Sequence, residues 1–208
     1  MAEGRQGCAT FDPKSYYLQY GDLRYAYGTN WPLYYQHYML YGKAEGRKGT
    51  GCTTMQGPTT VYNGVDYSGV YNYYYYLEHN ADVKNALGTD DATILKHFVN
   101  YGMAEGRQAI STFNVTSYRL QYADLRNAYG KNWKNYYLHY INYGQKEGRK
   151  GTGCTTLQNA TTVYNGVNYA SVYDYNYYVN NNADVKKAYG DDENAVLAHF
   201  VNYGMKEG

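Results

Sequence analysis

Residues 34–47 read Tyr-Tyr-Gln-His-Tyr-Met-Leu-Tyr-Gly-Lys-Ala-Glu-Gly-Arg, and variants of this stretch recur along the chain. Its histidine returns at intervals of 60, 42 and 60 residues, as His37, His97, His139 and His199. The Tyr-Gly pair that follows each histidine keeps the same intervals. Fixed intervals are typical of a chain built from repeated structural units. We therefore expect four related cores of about 42 residues each.

A larger repeat of 102 residues contains two of these cores. Residues 1–6 return as residues 103–108, and about two-thirds of the residues aligned at this interval are identical. We therefore predict one unit at residues 1–102 and a second at residues 103–208. In chain order, the predicted parts are a core at about 10–50, an insert at about 52–69, a core at about 70–108, a core at about 112–150, an insert at about 154–171 and a core at about 172–208. Because the sequence begins and ends within the same motif, we expect two units of a longer array.

The first part of each core favours one or two short helices. Asp12 can cap free backbone N–H groups, and Pro13 fits the first turn of a helix. Apolar and aromatic residues then share one helical face because their spacings are four, three and four. These residues are Tyr16, Tyr20, Leu23 and Tyr27. Gly21 interrupts the run, so either one helix or two short helices are expected before the stop at Gly28.

The second part of each core favours one further helix. It is predicted from about Trp31 to Tyr41, with a stop at Gly42. Its packed face is predicted to contain Tyr34, His37, Tyr38 and Tyr41, at the spacing of one helical face. In the second core, Tyr101 occupies the position of Tyr41. Helices this short are marginal alone, so packing against neighbours must stabilise them.

The inserts favour small β-hairpins. Asn63-Gly64 lies between β-forming residues, and Asn-Gly is a strong hairpin signal because both turn residues adopt positive φ. Residues 163–169 repeat the pattern. The fold class expected is mostly α: an elongated tandem repeat of short helices with small β-hairpin inserts.

The composition argues against several classes of protein. Tyrosine supplies 32 of the 208 residues, and the formal net charge is only +1. Nucleic-acid-binding proteins usually carry a basic patch and a high pI, so we expect no nucleic-acid partner. No apolar run is long enough to cross a bilayer, so we expect no membrane insertion. With few aliphatic residues, the tyrosines must supply much of the buried surface.

Residues capable of catalysis occur singly in each core. Glycoside hydrolysis requires two carboxylates that face one bond, whereas the recurrent aspartates are one per core: Asp22, Asp82, Asp124 and Asp184. The four recurrent histidines have no second ligand at metal-binding spacing. We predict no enzyme activity, no catalytic residue, no metal site and no cofactor. The aspartates are expected to cap helices or pair with arginines, and the histidines to pack.

Three motifs together resemble a known class of repeat. They are Tyr-Tyr-x-His-Tyr-x-x-Tyr-Gly-x-x-Glu-Gly-Arg (residues 34–47), His-Phe-Val-Asn-Tyr-Gly-Met-x-Glu-Gly (97–106 and 199–208) and Tyr-Asn-Gly-Val-(Asp/Asn)-Tyr (62–67 and 164–169). Over nearly all of its length the chain is similar to Tyr/Gly-rich tandem repeats appended to secreted cell-wall hydrolases and surface proteins of Gram-positive anaerobes. The resemblance implies a secreted, cell-surface-associated accessory module without catalysis.

A secreted location would permit disulfides. Cys8 and Cys52 bracket the first core, and we hypothesise that they form a disulfide. Cys154 is the equivalent of Cys52 in the second unit, where Ile110 replaces Cys8. Cys154 would then remain a free thiol or link to another chain.

Aromatic residues are the candidate ligand contacts. Tyr and Trp offer flat apolar faces with polar edges, which suit sugar rings and equally suit protein contacts. Trp31 and Trp133 begin the last helix of the first and third cores, and Tyr35 and Tyr137 follow one turn later. We predict these four residues as carbohydrate-binding, with core packing as the alternative for each.

The predicted function is a non-catalytic secreted repeat module that binds cell-wall or extracellular polysaccharide and anchors a partner domain by avidity. Linked weak sites would multiply each other's effect, so one 102-residue unit should bind much more weakly than two. The alternative is a structural or adhesive self-associating array: a stalk, spacer or filament. Its partners would be neighbouring repeats of the same chain or other copies, and a net charge near zero suits such association.

Overall fold

The protein folds mainly into short helices. The computed structural model describes residues 4–207, and about 52% of the chain is helical, which confirms the mostly-α prediction. The helices of the described residues are α1 (Pro13–Gln19), α2 (Gly21–Tyr27), α3 (Trp31–His37), α4 (Tyr73–His79), α5 (Ala81–Leu87), α6 (Asp91–His97), α7 (Val115–Gln121), α8 (Ala123–Tyr129), α9 (Trp133–His139), α10 (Tyr175–Asn181), α11 (Ala183–Tyr189), α12 (Glu193–His199) and α13 (Met205–Glu207). π-Helical turns follow α3, α6, α9 and α12 at Tyr38–Gly42, Phe98–Gly102, Tyr140–Gly144 and Phe200–Gly204. The strands are β1 (Val61–Tyr62), β2 (Val65–Asp66), β3 (Val163–Tyr164) and β4 (Val167–Asn168).

Three seven-residue helices form each core; of the one or two helices expected before Gly28, the structure has two. The Asp12 side chain accepts a hydrogen bond from the backbone N–H of Lys14 at 3.0 Å, and Pro13 opens α1. Tyr20 is extended, with φ of −115° and ψ of 98°, so the chain breaks between α1 and α2. Gly28 ends α2 with a positive φ of 53°. The residues that the sequence spacing placed on one helical face, from Tyr16 to Tyr27, are therefore divided between α1 and α2.

A Tyr–His–Gly contact lies at the centre of each core. In the first core, Tyr16 is fully buried and its hydroxyl lies 3.0 Å from His37 Nδ1. A Cβ on Gly42 would overlap that hydroxyl and lie only 3.2 Å from Tyr16 Cζ. The equivalent hydroxyl–imidazole distances are 3.1 Å for Tyr76–His97, 3.0 Å for Tyr118–His139 and 3.0 Å for Tyr178–His199. Glycine is required after the recurrent tyrosine because the buried phenol occupies the space of a side chain.

The Glu-Gly-Arg turn closes each of the first three cores through an ion pair. Arg47 contacts Asp22 at 2.9 Å and Glu45 at 2.5 Å, and its guanidinium lies 4.8 Å from the centre of the Tyr20 ring. The corresponding arginine–aspartate distances are 2.7 Å for Arg107–Asp82 and 2.9 Å for Arg149–Asp124. Aspartate and arginine recur in the same rhythm because they form one contact.

Contacts divide the chain into two compact units, Met1–Ser111 and Thr112–Gly208. Residues 103–109 belong with the core before them, because Arg107 pairs with Asp82 and the backbone N–H of Asn72 donates to the carbonyl of Ala109 at 2.7 Å. The recurring Met-Ala-Glu-Gly-Arg segment therefore completes the preceding core.

A buried ion pair joins the two cores within each unit. In the first unit, Arg24 of α2 lies 3.3 Å from Asp91 of α6, and both side chains are almost fully buried. In the second unit, Arg126 lies 2.7 Å from Glu193. Both acids stand at the position that tryptophan occupies in the other cores. That position alternates between an aromatic ring and a buried carboxylate.

The inserts form hairpins, as predicted. Val61 pairs with Asp66 and Tyr62 with Val65 in an antiparallel register. At the turn, Asn63 and Gly64 have φ of 49° and 77°, the positive values that a two-residue hairpin turn requires. Residues 163–168 repeat the register and the turn.

Candidate ligand-binding surface

One tyrosine at the same position of each core has an exposed ring. The exposed fractions are 57% for Tyr41, 61% for Tyr101, 59% for Tyr143 and 58% for Tyr203. The prediction that Tyr41 and Tyr101 lie on the packed helical face was wrong. The reason is the π-helical turn, in which the Lys43 N–H donates to the carbonyl of Tyr38, five residues earlier, at 3.1 Å. The extra residue in the turn rotates the following side chain away from the core.

Each exposed tyrosine lies beside the recurrent histidine of its own core; His37 and His139 are buried, and His97 and His199 are half-buried. The ring centroids are 5.7 Å apart for His37–Tyr41, 5.6 Å for His97–Tyr101, 5.6 Å for His139–Tyr143 and 5.5 Å for His199–Tyr203. Burial lowers the pKa of His139 and raises the pKa of Tyr118, which lies against its Nδ1. Both shifts favour the uncharged forms of His139 and Tyr118. In each core the recurrent histidine is held at its Nδ1 by the tyrosine hydroxyl and packs beside the exposed ring.

Trp31 and Tyr35 are only half-buried, and both contact the start of the chain. The Trp31 ring lies 5.4 Å from that of Tyr17, and a Cβ on Gly4 would lie 2.8 Å from the indole. The Tyr35 hydroxyl donates to the backbone carbonyl of Arg5. Gly4 and Arg5 therefore cover part of this predicted contact surface.

Trp133 and Tyr137 are placed differently in the second unit. Trp133 is half-buried, and the guanidinium carbon of Arg119 lies 5.7 Å from its ring centre. Tyr137 is fully buried, with its ring 5.3 Å from that of Phe113. The expectation that Tyr137 offers an exposed ring to a ligand was wrong, because the ring fills the core of the second unit.

The cysteines and carboxylates do not assemble into a reactive site in the described residues. Cys8, Cys52 and Cys154 are free thiols, so the Cys8–Cys52 disulfide is not formed in this structure and stays a prediction. The Thr10 hydroxyl lies 3.4 Å from the Cys8 sulfur and lowers the pKa of that thiol. Among residues 4–207, no group of three or more histidine, cysteine, aspartate or glutamate side chains could hold a metal ion.

Sequence reasoning missed the exposed tyrosine that each core carries. The available signal was the Tyr-Gly pair after each histidine, because a glycine at a helix end marks the place where regular helical spacing stops. None of the described helices is long and apolar enough to cross a bilayer. The chain matches no family model, no curated protein and no solved structure. The function is therefore argued from this geometry and from the sequence motifs.

Proposed function

We propose that this chain is a non-catalytic, secreted module that binds cell-wall or extracellular polysaccharide and anchors a partner domain to it. The observation that carries the proposal is the exposed tyrosine at the same position of all four cores. Each ring offers a flat apolar face and a hydroxyl at its edge, the combination that a sugar ring can stack on and hydrogen-bond to. The resemblance of the sequence motifs to repeats of secreted cell-wall proteins supports the location.

The recurrent histidine makes each exposed ring a better platform. His37 is held by the Tyr16 hydroxyl at 3.0 Å, and the Tyr41 ring lies against it. A ring that is already restrained loses less conformational freedom when a ligand binds. A short side chain at this position would remove the platform without disturbing the buried Tyr–His contact below it.

Repetition supplies the affinity in this proposal. Each of the four cores contributes one weak contact to the same polymer. Once one site is occupied, the others meet the polymer at a high effective concentration, so the total affinity exceeds that of any single site. The nearly neutral chain suits an uncharged polysaccharide better than a polyanion.

Self-association into a stalk or filament is the second candidate, and one contact favours it. Gly4 and Arg5 belong to the recurring Glu-Gly-Arg motif, and they contact Trp31 and Tyr35. The same kind of contact could join one copy to another end to end. Such a contact would produce a heterologous, open-ended assembly.

Co-sedimentation of the full chain with purified Gram-positive sacculi and with insoluble α- and β-glucans tests both candidates. Polysaccharide binding predicts saturable pelleting with one polymer, competed by soluble fragments of that polymer. The chain alone is the control. Pelleting of the chain alone, without extra pelleting by any polymer, would overturn the polysaccharide proposal and support the self-associating array.

A further inference from the structure

We propose that the first unit holds a sugar site in an open cleft of about 460 Å³ between its two cores, and that the second unit lacks it. The inference rests on the proposed function and assigns it a site separate from the exposed tyrosines. The ligand class is a neutral pyranose, as a terminal or internal ring of a polysaccharide. The volume lies in the range typical of small-ligand sites.

One side of the cavity is apolar. Its lining includes the rings of Trp31 and Tyr17 and the aliphatic side chains of Leu18 and Leu87. The indole is held in place because it lies 5.4 Å from the Tyr17 ring and 5.8 Å from the Tyr34 ring. A restrained indole suits stacking against the C–H face of a sugar ring. This is the role that the sequence predicted for Trp31.

The other side of the cavity carries polar groups of opposite charge. Asp90, Lys14, Thr29 and Thr89 contribute to the lining. Asp90 is fixed, because its Oδ1 accepts from the Tyr17 hydroxyl at 3.0 Å and its Oδ2 accepts from the backbone N–H of Thr93 at 2.9 Å. A carboxylate oxygen can accept more than one hydrogen bond, so each still has capacity for a sugar hydroxyl. One acidic and one basic group balance, which favours a neutral ligand.

The same position in the second unit is occupied by charged side chains. Arg119 replaces Tyr17 and Asp191 replaces Thr89. Arg119 pairs with Asp191, and its guanidinium lies over the Trp133 ring at 5.7 Å. The nearby cavity of about 430 Å³ is lined by Arg119, Arg126, Lys131, Asp192 and Glu193 among others, and Trp133 is not part of that lining. The arginine covers the indole on that side, so a sugar cannot stack there.

The two tryptophans, one per unit, provide the test. In the Trp133→Phe variant, emission reports Trp31 alone, and in Trp31→Phe it reports Trp133 alone. Both full-length variants are titrated with soluble cello-, malto- and chito-oligosaccharides. We expect a saturable change in emission with one series in Trp133→Phe and none in Trp31→Phe. An equal response from both variants, or no response from Trp133→Phe with any series, would overturn the proposal.

A double substitution that covers the Trp31 indole adds a matched control. Tyr17→Arg combined with Thr89→Asp, in the Trp133→Phe background, reproduces the pair that covers the indole in the second unit. Its affinity should fall at least about tenfold, and an unchanged affinity would contradict the assigned site. Pelleting with a polymer while Trp31 stays silent would refute this site and leave the proposed function standing. A Trp31 response without any pelleting would support this site and refute the proposed anchoring to a polymer.

Discussion

Gly42→Ala should destabilise the protein through one specific overlap. The added Cβ would collide with the Tyr16 hydroxyl and lie 3.2 Å from both Tyr16 Cζ and Tyr38 Cδ2. Tyr16 cannot move aside easily because it is fully buried and its hydroxyl lies 3.0 Å from His37 Nδ1. The substitution therefore forces the phenol out of its place or the helix end away from it.

The cost can be assembled from two contributions. Overpacking a well-filled core costs about 1–3 kcal/mol. Displacing the phenol also weakens a buried hydrogen bond, which costs about 1–2 kcal/mol when a polar atom is left unpaired. Alanine gains up to about 1 kcal/mol over glycine in a helix. The net loss in the free energy of unfolding should be about 3 kcal/mol, or a fall in Tm of roughly 6–12 °C for a chain of this size.

Thermal and urea unfolding followed by near-UV circular dichroism measures this loss. Gly7→Ala is the matched control, because nothing lies within 4 Å of the added Cβ, and its stability should stay within about 0.5 kcal/mol of the parent. In the double variant Gly42→Ala/Tyr16→Phe the colliding hydroxyl is gone, so its loss should be about 2 kcal/mol smaller than the sum of the two single losses. A Gly42→Ala protein as stable as the parent would refute the account of the Tyr–His–Gly contact.

Three further outcomes are expected. Glu193→Gln leaves Arg126 buried without a counter-charge and should lower the free energy of unfolding in urea by about 3 kcal/mol. Asp124→Asn removes an exposed carboxylate and should lower it by under about 1 kcal/mol. Equal losses would contradict the burial of the Arg126–Glu193 pair. Tyr71→Phe should raise stability by about 1 kcal/mol in the same assay, because among the described residues its buried hydroxyl has no hydrogen-bond partner and cores one and three already carry phenylalanine there; a loss of stability would reveal a partner. Burial raises the pKa of Tyr73 from 10.0 to about 12, so the folded state holds this proton more tightly than the unfolded state; its contribution to stability is complete below pH 10 and lost as pH rises towards 12. A tyrosinate absorbance step that coincides with loss of far-UV circular dichroism is therefore expected, and tyrosinate formation complete before unfolding would contradict it.

Local signals in the sequence were enough for the helix starts and the hairpins. Asp12 and Pro13 act within one turn of the chain, and Asn63-Gly64 determines its own turn, so neighbouring residues contain the information. The ion pair between Asp22 and Arg47 was also accessible, because both residues recur at the same intervals. The shared repeat interval indicated that these two residues, although distant in sequence, are in contact.

Features that depend on tertiary packing were not visible. The π-helical turn that exposes Tyr41 breaks the 3.6-residue spacing on which the packed face was predicted. Tyr137 reads like Tyr35 in sequence, yet it is fully buried whereas Tyr35 is half-buried. The difference between Tyr17 and Arg119 has meaning only beside the tryptophan that each contacts. The residue types alone therefore did not reveal these differences, because each depends on its neighbours in the folded unit.

A graded series of tyrosine substitutions tests the central claim most directly. The affinity of the full chain for its polymer is measured by co-sedimentation after replacing one, two and then all four of the exposed tyrosines with alanine: Tyr41, Tyr101, Tyr143 and Tyr203. Tyr25→Ala is the control, because Tyr25 is 92% exposed and the equivalent position in the other three cores is Asn or Lys. Binding by repeated platforms predicts that Kd rises with each substitution, by at least about tenfold in total, while Tyr25→Ala binds like the parent. A chain that lacks all four rings and still binds with the parent affinity would contradict the account.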